Sequence, residues 1–233
     1  MSILKEIYEY KKNFVKQQKV LSSLDKVIDL SSEYSPIGFI NKISTDILEK
    51  DVSIIGELKK SSPSAGIIFN NDNEYKKIAN TYEDNGISCL SILTDEKYFK
   101  GSNDDFVQIR SNIKIPIIRK DFVVDRYQVY ESKMLGADCI LIILSMLSNA
   151  EAKELEEEAI SIGLDVLIET HDKEEMNTAI NMKSNLIGVN NRNLNDFSVD
   201  INNSISLTAE PVKDKIYVCE SGIKTKEDIN FIK

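Results

Sequence analysis

The sequence is poor in the residues that most often build metal centres and nucleophilic sites. Its 233 residues include one histidine, His171, three cysteines and no tryptophan. A histidine-rich metal centre is therefore excluded, and a serine or cysteine triad would have to use His171. The cysteines, Cys89, Cys139 and Cys219, are far apart, and each lies in an apolar run, which predicts buried free thiols. Proton transfer in such a chain falls to glutamate, aspartate and lysine.

Positive charge is also scarce, and no hydrophobic run is long. The formal net charge is −9 and the isoelectric point is about 4.9. This balance argues against a nucleic-acid or anionic-membrane surface, because both need a basic patch. Residues 1–20 are charged throughout, unlike a signal peptide, and no later run reaches membrane-spanning length. We expect a cytoplasmic protein in which a few local cations bind any anionic ligand.

Seven short apolar runs alternate with polar segments of helical length. The predicted strands are 52–59, 88–94, 115–120, 139–145, 165–170, 186–190 and 216–220. Apolar side chains three and four residues apart predict a first helix over 2–20, and a second is predicted over 39–48. The helix starts after the fourth and fifth strands show the spacing of a capping box: Ser148 with Glu151, and Asp172 with Glu175.

Strand–helix repeats of this length predict an α/β fold with a parallel sheet, either doubly wound or closed as a (βα)8 TIM barrel. The barrel interpretation assigns residues 1–48 to an N-terminal helical extension that covers the barrel mouth. Residues 49–233 then form the barrel. Only seven strand units are visible, and we therefore expect a barrel truncated before its eighth strand.

Polar side chains cluster where the predicted strands end. They are Glu57 and Lys59 on the first strand, Lys120 on the third, Glu169 on the fifth, Asn190 with Arg192 on the sixth, and Glu220 with Ser221 and Gly222 on the seventh. The carboxyl ends of barrel strands converge on one mouth, so these groups are expected to share a pocket. Each alone could be a surface lysine, a helix cap or an ion-pair partner. Burying six charges together is costly unless a site uses them. His171 is interpreted as a solvated residue at a helix start.

Six segments, in order, resemble those of a known enzyme family. They are IIGELKKSSPSAG at 54–66, LSILTDEKYFKGS at 90–102, PIIRKDFVVDRYQVYESKMLGAD at 116–138, VLIET at 166–170, IGVNNRNLNDFSVD at 187–200 and VCESGI at 218–223. With them the chain resembles the indole-3-glycerol phosphate synthases of tryptophan biosynthesis. The resemblance implies a TIM barrel with an N-terminal helical cover and no metal or organic cofactor. It also implies a lyase that converts 1-(2-carboxyphenylamino)-1-deoxyribulose 5-phosphate to indole-3-glycerol phosphate, carbon dioxide and water.

The resemblance further implies roles for individual residues. Lys120 matches the family's general acid and Glu169 its proposed general base. Lys59 matches a lysine that contacts the anionic groups of the substrate and has also been considered as an acid. Glu57 and Glu220 would orient the lysines and hold the substrate. The implied substrate contacts are Ser62, Asn190 and Arg192 in the binding site, Phe122 and Leu141 against the anthranilate ring, and Ser221 and Gly222 at the phosphate.

Two alternatives stay open at this point. Another phosphate-binding barrel, such as phosphoribosylanthranilate isomerase, would use a different acid/base pair, and the ELKKSSPS, RKDF and NNRNL stretches speak against it. A truncated, non-catalytic barrel could instead bind substrate or self-associate without turnover, because an unpaired barrel edge invites association. We expect a small anionic substrate as the partner, and a monomer or weak homodimer.

Overall fold

Seven parallel strands, in sequence order, form the main sheet of the computed structural model, which describes residues 3–63, 66–69, 72–193 and 196–233. The strands are β1 (Ile55–Leu58), β2 (Cys89–Leu93), β3 (Ile117–Lys120), β4 (Cys139–Ile143), β5 (Asp165–Thr170), β6 (Leu186–Asn190) and β7 (Ile216–Glu220). Directly after β1, Ser61–Ser62 pairs antiparallel with Gly66–Ile67 in a small hairpin. Residue 2 of the predicted first helix, and residues 64, 65, 194 and 195 of the quoted segments, lie outside the described residues.

Helices precede the sheet and connect its strands. Those before β1 are α1 (Ile3–Leu21), α2 (Leu24–Ser31) and α3 (Phe39–Lys50). Those that follow are α4 (Asp72–Asp84), α5 (Glu96–Phe99), α6 (Asn103–Arg110), α7 (Arg126–Met134), α8 (Asn149–Ser161), α9 (Lys173–Ala179), α10 (Asn202–Leu207) and α11 (Lys226–Ile232). Within the ranges that the structure describes, none of these helices has the length and apolar character needed to cross a membrane.

The sheet is curled into a barrel rather than laid flat. Lys120 at the end of β3 is hydrogen-bonded to Glu57 of β1 and to Glu220 of β7. In a flat sheet, β3 and β7 would be four strand spacings, or about 19 Å, apart. A contact between β3 and β7 therefore requires that the sheet curl, which brings the edge strand β7 toward β3. An ion pair of 2.8 Å between Lys233 and Asp51 joins the chain beyond β7 to the residues before β1.

Alternation along the strands divides the core into two layers. In β4, Ile140 and Ile142 pack outward in a cluster with Leu155 of α8, whereas Leu141 faces inward in a cluster with Phe39 of α3. Successive side chains of a strand point to opposite faces, and both faces of this sheet are covered, so β4 is apolar throughout. Full burial of a side chain such as Phe39 contributes about 1.5–3 kcal/mol. The sheet is thus filled on the inside and clad by helices on the outside.

The structure confirms the parallel α/β barrel fold, and several observed strands are shorter than predicted. β1 begins at Ile55 rather than at 52, because its ladder with β2 starts where Ile55 meets Cys89. Four of the seven predicted strands differ from the observed ones at one or both ends, by one to three residues. Leu144 and Ser145, predicted as the end of the fourth strand, belong to a 3₁₀ turn over Leu144–Met146. The short helix α2 and the hairpin after β1 were not predicted.

The two predicted capping boxes have different outcomes. Ser148 and Glu151 form a complete box at the start of α8. At α9, the side chain of Asp172 accepts from the backbone N–H of Glu175, as predicted, but Glu175 does not return the bond to Asp172. Its carboxylate accepts instead from the backbone N–H of His171 at 2.8 Å. This half of the second box was wrong because His171 competes for the same carboxylate.

Candidate active site

The carboxyl ends of the strands surround a cavity of about 250 Å³. Ten of the residues predicted from the sequence border it: Glu57, Lys59, Ser62, Lys120, Phe122, Leu141, Glu169, Asn190, Arg192 and Ser221. Glu220 reaches the same group through its hydrogen bond with Lys120. Gly222 lies instead against the side chains of Val199 and Ile201. Curling of the sheet therefore gathers at one cavity residues that are far apart along the chain.

Lys120 is held between two carboxylates from the edge strands. Its Nζ donates to Oε2 of Glu57 and to Oε2 of Glu220, each at 2.9 Å. Burial opposes the charged form of the amine, but the charges of Glu220 and Glu57 outweigh it and raise the pKa of Lys120 well above its ordinary value. Lys120 is consequently an ammonium group whose direction is fixed by its hydrogen bonds to the two carboxylates.

The two carboxylates beside Lys120 differ in acidity. Burial raises the pKa of a carboxyl group, but Lys120 and Lys59 together lower that of Glu57 to about 2, and Lys59 Nζ lies only 2.5 Å from its Oε1. Glu220 is more deeply buried, and burial, with repulsion from Glu169, raises its pKa to about 7 despite the attraction of Lys120. Within the described part of the chain, Oε1 of Glu220 has no hydrogen-bond partner. Glu57 is therefore an anion at neutral pH, whereas Glu220 is a weaker acid than an ordinary glutamate.

Glu169 borders the cavity from the end of β5 and is 3% exposed. Its Oε1 accepts from Asn190 Nδ2 at 3.1 Å, and Asn190 Oδ1 in turn accepts from the backbone N–H of Arg192 at 3.0 Å. Burial disfavours the ionised carboxyl, but contact with His171 and the charge of Lys120 lower the pKa of Glu169 below its usual value. The cavity is thus bordered by an ionised carboxylate and by an ammonium group.

An apolar wall completes the cavity. The ring of Phe122 lies 6.1 Å from that of Phe99 and 6.4 Å, edge to face, from that of Tyr98. Such rings offer a flat aromatic ligand both a face and an edge. Other apolar side chains at the cavity include Leu93, Leu141 and Ile143 from the strands, and Ile3, Leu4 and Ile7 from α1. Helix α1 therefore forms part of the wall at the barrel mouth.

A buried lysine attaches α1 to the barrel. Lys11 Nζ lies 2.9 Å from Oδ2 of Asp95 and 2.6 Å from Oδ1 of Asp121, and the three side chains are each 3% exposed or less. Burial disfavours the ammonium, but Asp121 and Asp95 raise the pKa of Lys11 above its ordinary value. Asp121 directly follows Lys120, so the same loop carries a cavity residue and the attachment point of the helix.

Sequence reasoning missed Lys11 and misread His171. Lys11 stands four residues after Ile7 in the apolar stripe of α1, and a charge within such a stripe was the available signal. His171 was predicted to be solvated, which is wrong, because only 14% of its side chain is exposed. Its spacing of four residues from Glu175 was the signal that could have revealed a pair.

The barrel and its cavity define the class of this protein: a parallel (βα) barrel with acidic and basic groups at the carboxyl ends of its strands. The model of the indole-3-glycerol phosphate synthase family matches residues 4–233. The indole-3-glycerol phosphate synthase of Azospirillum brasilense is 42% identical over 229 residues, which are 98% of this chain and 87% of that protein. That of Caldanaerobacter subterraneus subsp. tengcongensis is 41% identical over 230 residues, 99% of this chain and 87% of that protein. The chain belongs to the indole-3-glycerol phosphate synthase family.

A solved structure with a similar fold comes from a different enzyme. The N-acetylmannosamine-6-phosphate 2-epimerase of Clostridium perfringens superposes with a TM-score of 0.60 over 77% of this chain and 81% of its own, at 15% sequence identity. Identity this low supports the barrel fold alone, because one barrel fold serves many chemistries.

Proposed function

We propose that this chain closes the ring of 1-(2-carboxyphenylamino)-1-deoxyribulose 5-phosphate to give indole-3-glycerol phosphate, carbon dioxide and water. Membership of the family supports this reaction. The observation that carries it is the pairing, at one cavity, of an ammonium acid, Lys120, with an ionised base, Glu169. The reaction needs both kinds of group within reach of one small substrate.

The substrate is proposed to bind with its charges on the cations and its ring on the apolar wall. Arg192 would bind the carboxylate, since a guanidinium matches that group in two parallel hydrogen bonds. Lys59 and Ser62, with Ser221 and Gly222, would bind the anionic chain and its phosphate. Ser221 and Gly222 directly follow β7, and both have positive φ, at 66° and 91°. Phe122 and Leu141 would pack against the anthranilate ring, and Asn190 would hold Glu169 in place.

In the first step, the ring carbon that bears the carboxylate attacks the ketone carbon of the substrate. Negative charge develops on the ketone oxygen, and Lys120 donates a proton to it. Glu57 and Glu220 suit Lys120 to this role because they keep the amine charged and fix its direction. The product of this step is a ring-closed alcohol that still carries the carboxylate.

Decarboxylation and dehydration complete the reaction. The bond to the carboxylate breaks, carbon dioxide leaves, and the electron pair restores the aromatic ring. Glu169 then accepts a proton from the alcohol intermediate while Lys59 or Lys120 protonates the departing hydroxyl, which leaves as water. Two protons are donated and one is accepted, so each turnover consumes one proton, which matches the loss of an anionic carboxylate as neutral carbon dioxide.

Residues 1–48 are proposed to act as a cover for this chemistry. Ile3, Leu4 and Ile7 of α1 border the cavity, and Lys11 attaches the helix beside Lys120. Excluding water strengthens the electrostatic interactions on which the acid and base depend. A cytoplasmic location and a monomeric or weakly dimeric state belong to the same proposal.

Fluorescence-detected formation of indole-3-glycerol phosphate tests the proposal directly. The chain has no tryptophan, so indole emission from the product meets no indole background from the protein. Lys120→Met and Glu169→Gln are each expected to lower kcat by about a hundredfold or more. Lys114→Met, which removes an exposed lysine just before β3, is the control and should retain the parent activity. Full turnover by Lys120→Met would refute the assignment of the acid. Substrate binding without turnover by the unaltered chain would favour a non-catalytic barrel instead.

A further inference from the structure

His171 lies directly behind Glu169, between β5 and α9, and is largely buried. Its Nε2 is 3.2 Å from Oε1 of Glu169, and its Nδ1 is 3.1 Å from Oε2 of Glu175. The contact with Glu169 is an ion pair by distance rather than a straight hydrogen bond. The imidazole is therefore enclosed by two carboxylates, one of which borders the cavity.

Glu175 fixes this arrangement through the backbone as well as the ring. Its Oε2 accepts from the backbone N–H of His171 at 2.8 Å, in addition to its contact with Nδ1. This double contact explains why Glu175 does not complete the capping box of α9. On the other sides of the residue, Ser145 Oγ lies 3.5 Å from Nδ1, and Asn203 Nδ2 donates to the backbone oxygen of His171 at 3.3 Å. His171 is thus held from three directions.

The surrounding charges determine the protonation state of the ring. The charged groups that face His171 are Glu169 on β5 and Glu175 on α9, and the neighbouring 3₁₀ turn and α10 present only the neutral groups of Ser145 and Asn203. Burial lowers the pKa of an imidazole, but the two carboxylates outweigh it and raise that of His171 to about 10. The ring is consequently a cation at neutral pH.

We propose that His171 is a positioning residue that holds Glu169 ionised and orients its carboxylate for proton transfer. The inference rests on the proposed function, because it assigns a partner to the proposed base. His171 and Asn190 both contact Oε1 of Glu169, which leaves Oε2 to accept the proton of the substrate. Glu169 also lies near Glu220, and a buried carboxylate near another tends to take up a proton or turn away. The cation of His171 opposes both outcomes.

Nuclear magnetic resonance tests the pair without any assay of activity. His171 is the only histidine, so the imidazole resonance of the labelled chain belongs to it alone. We expect a titration midpoint near pH 10. Glu169→Gln and Glu175→Gln should each lower this midpoint by about one unit or more, since each removes an opposite charge. Glu174→Gln removes a charge from an exposed neighbouring position and should leave the midpoint in place. A midpoint that Glu169→Gln does not change would overturn the inference.

Steady-state kinetics test the positioning role. His171→Leu should lower kcat by about ten- to a hundredfold with little change in KM, because misorientation of a catalytic group affects the chemical step. His171→Gln, which retains an N–H donor without the charge, should recover part of the loss, and Glu174→Gln should match the parent. A kcat of His171→Leu equal to that of the parent would refute the proposal. No turnover by the unaltered chain would instead count against the proposed function, and the titration would then decide the ion pair by itself.

Discussion

Replacement of Lys11 by methionine should destabilise the barrel far more than replacement of its neighbour Lys12. Methionine retains most of the apolar stem of lysine but removes the charge. In Lys11→Met, the carboxylate of Asp95, which is 1% exposed, loses its cation. Among the described residues, the hydrogen bond that this carboxylate keeps comes from the backbone N–H of Tyr98 at 2.6 Å. A buried carboxylate without a counter-charge carries a desolvation cost that is no longer offset.

The loss of stability in Lys11→Met depends on the partners that Asp95 and Asp121 retain. Removal of one partner from a buried ion pair costs about 3–5 kcal/mol. Asp121 retains Arg119, whose Nη2 lies 3.3 Å from Oδ2, so only Asp95 becomes fully uncompensated. We therefore expect a loss near the lower end, about 3 kcal/mol in the free energy of unfolding. Lys12 lies 4.0 Å from Glu151, with about a third of each side chain exposed. An exposed pair of this kind contributes at most about 1 kcal/mol.

Urea unfolding followed by circular dichroism measures the difference. A loss of about 3 kcal/mol should lower the urea midpoint of Lys11→Met by about 1 M, with the slope unchanged. Adding Asp95→Asn to Lys11→Met removes the unpaired charge and should restore part of the stability. Equal urea midpoints for Lys11→Met and Lys12→Met would refute this reasoning. A double variant that is less stable than Lys11→Met would also refute it.

A methyl group at position 188 should damage the site while sparing the fold. A Cβ built on Gly188 collides with the carboxylate of Glu220. Gly188→Ala is therefore expected to lower kcat by about tenfold or more, with an unchanged circular dichroism spectrum. A kcat equal to that of the parent would show that Glu220 moves aside freely. A second prediction concerns pH. The pKa of His171 is raised from 6.5 to about 10, so the stability it contributes is full below pH 6.5 and lost as the pH rises through about 10. The difference in urea midpoint between the parent and His171→Asn should therefore become smaller as the pH rises from 6.5 to about 10. A difference that stays constant would contradict the ion pairs of His171 with Glu169 and Glu175.

Local pattern was enough to predict much of the fold. The uninterrupted apolar run of β4 and the run of β2, broken only by Ser91, indicate strands covered on both faces, and Ser148 with Glu151 marks the start of α8. These signals depend on a few adjacent residues, because burial and capping act over one strand or one helical turn. The bounds of β1 were less accurate, because a strand begins where a neighbouring strand pairs with it.

Most of the candidate residues could be named from the sequence because they occupy the ends of strands, and the ends of parallel strands share one side of a barrel. Ser62, Phe122 and Leu141 were named only from the family resemblance. The partners of the strand-end residues could not be named from the strand pattern. Lys120 meets Glu220 only because β3 and β7 approach each other across the curled sheet, and Lys11 meets Asp121 only because α1 folds back over the mouth. Apolar runs for the strands and amphipathic spacing for the helices determined the elements and their order, since both are local properties of the chain. The pairing of charges was decided by the tertiary structure, because Coulomb interactions depend on distances that only the curled sheet sets.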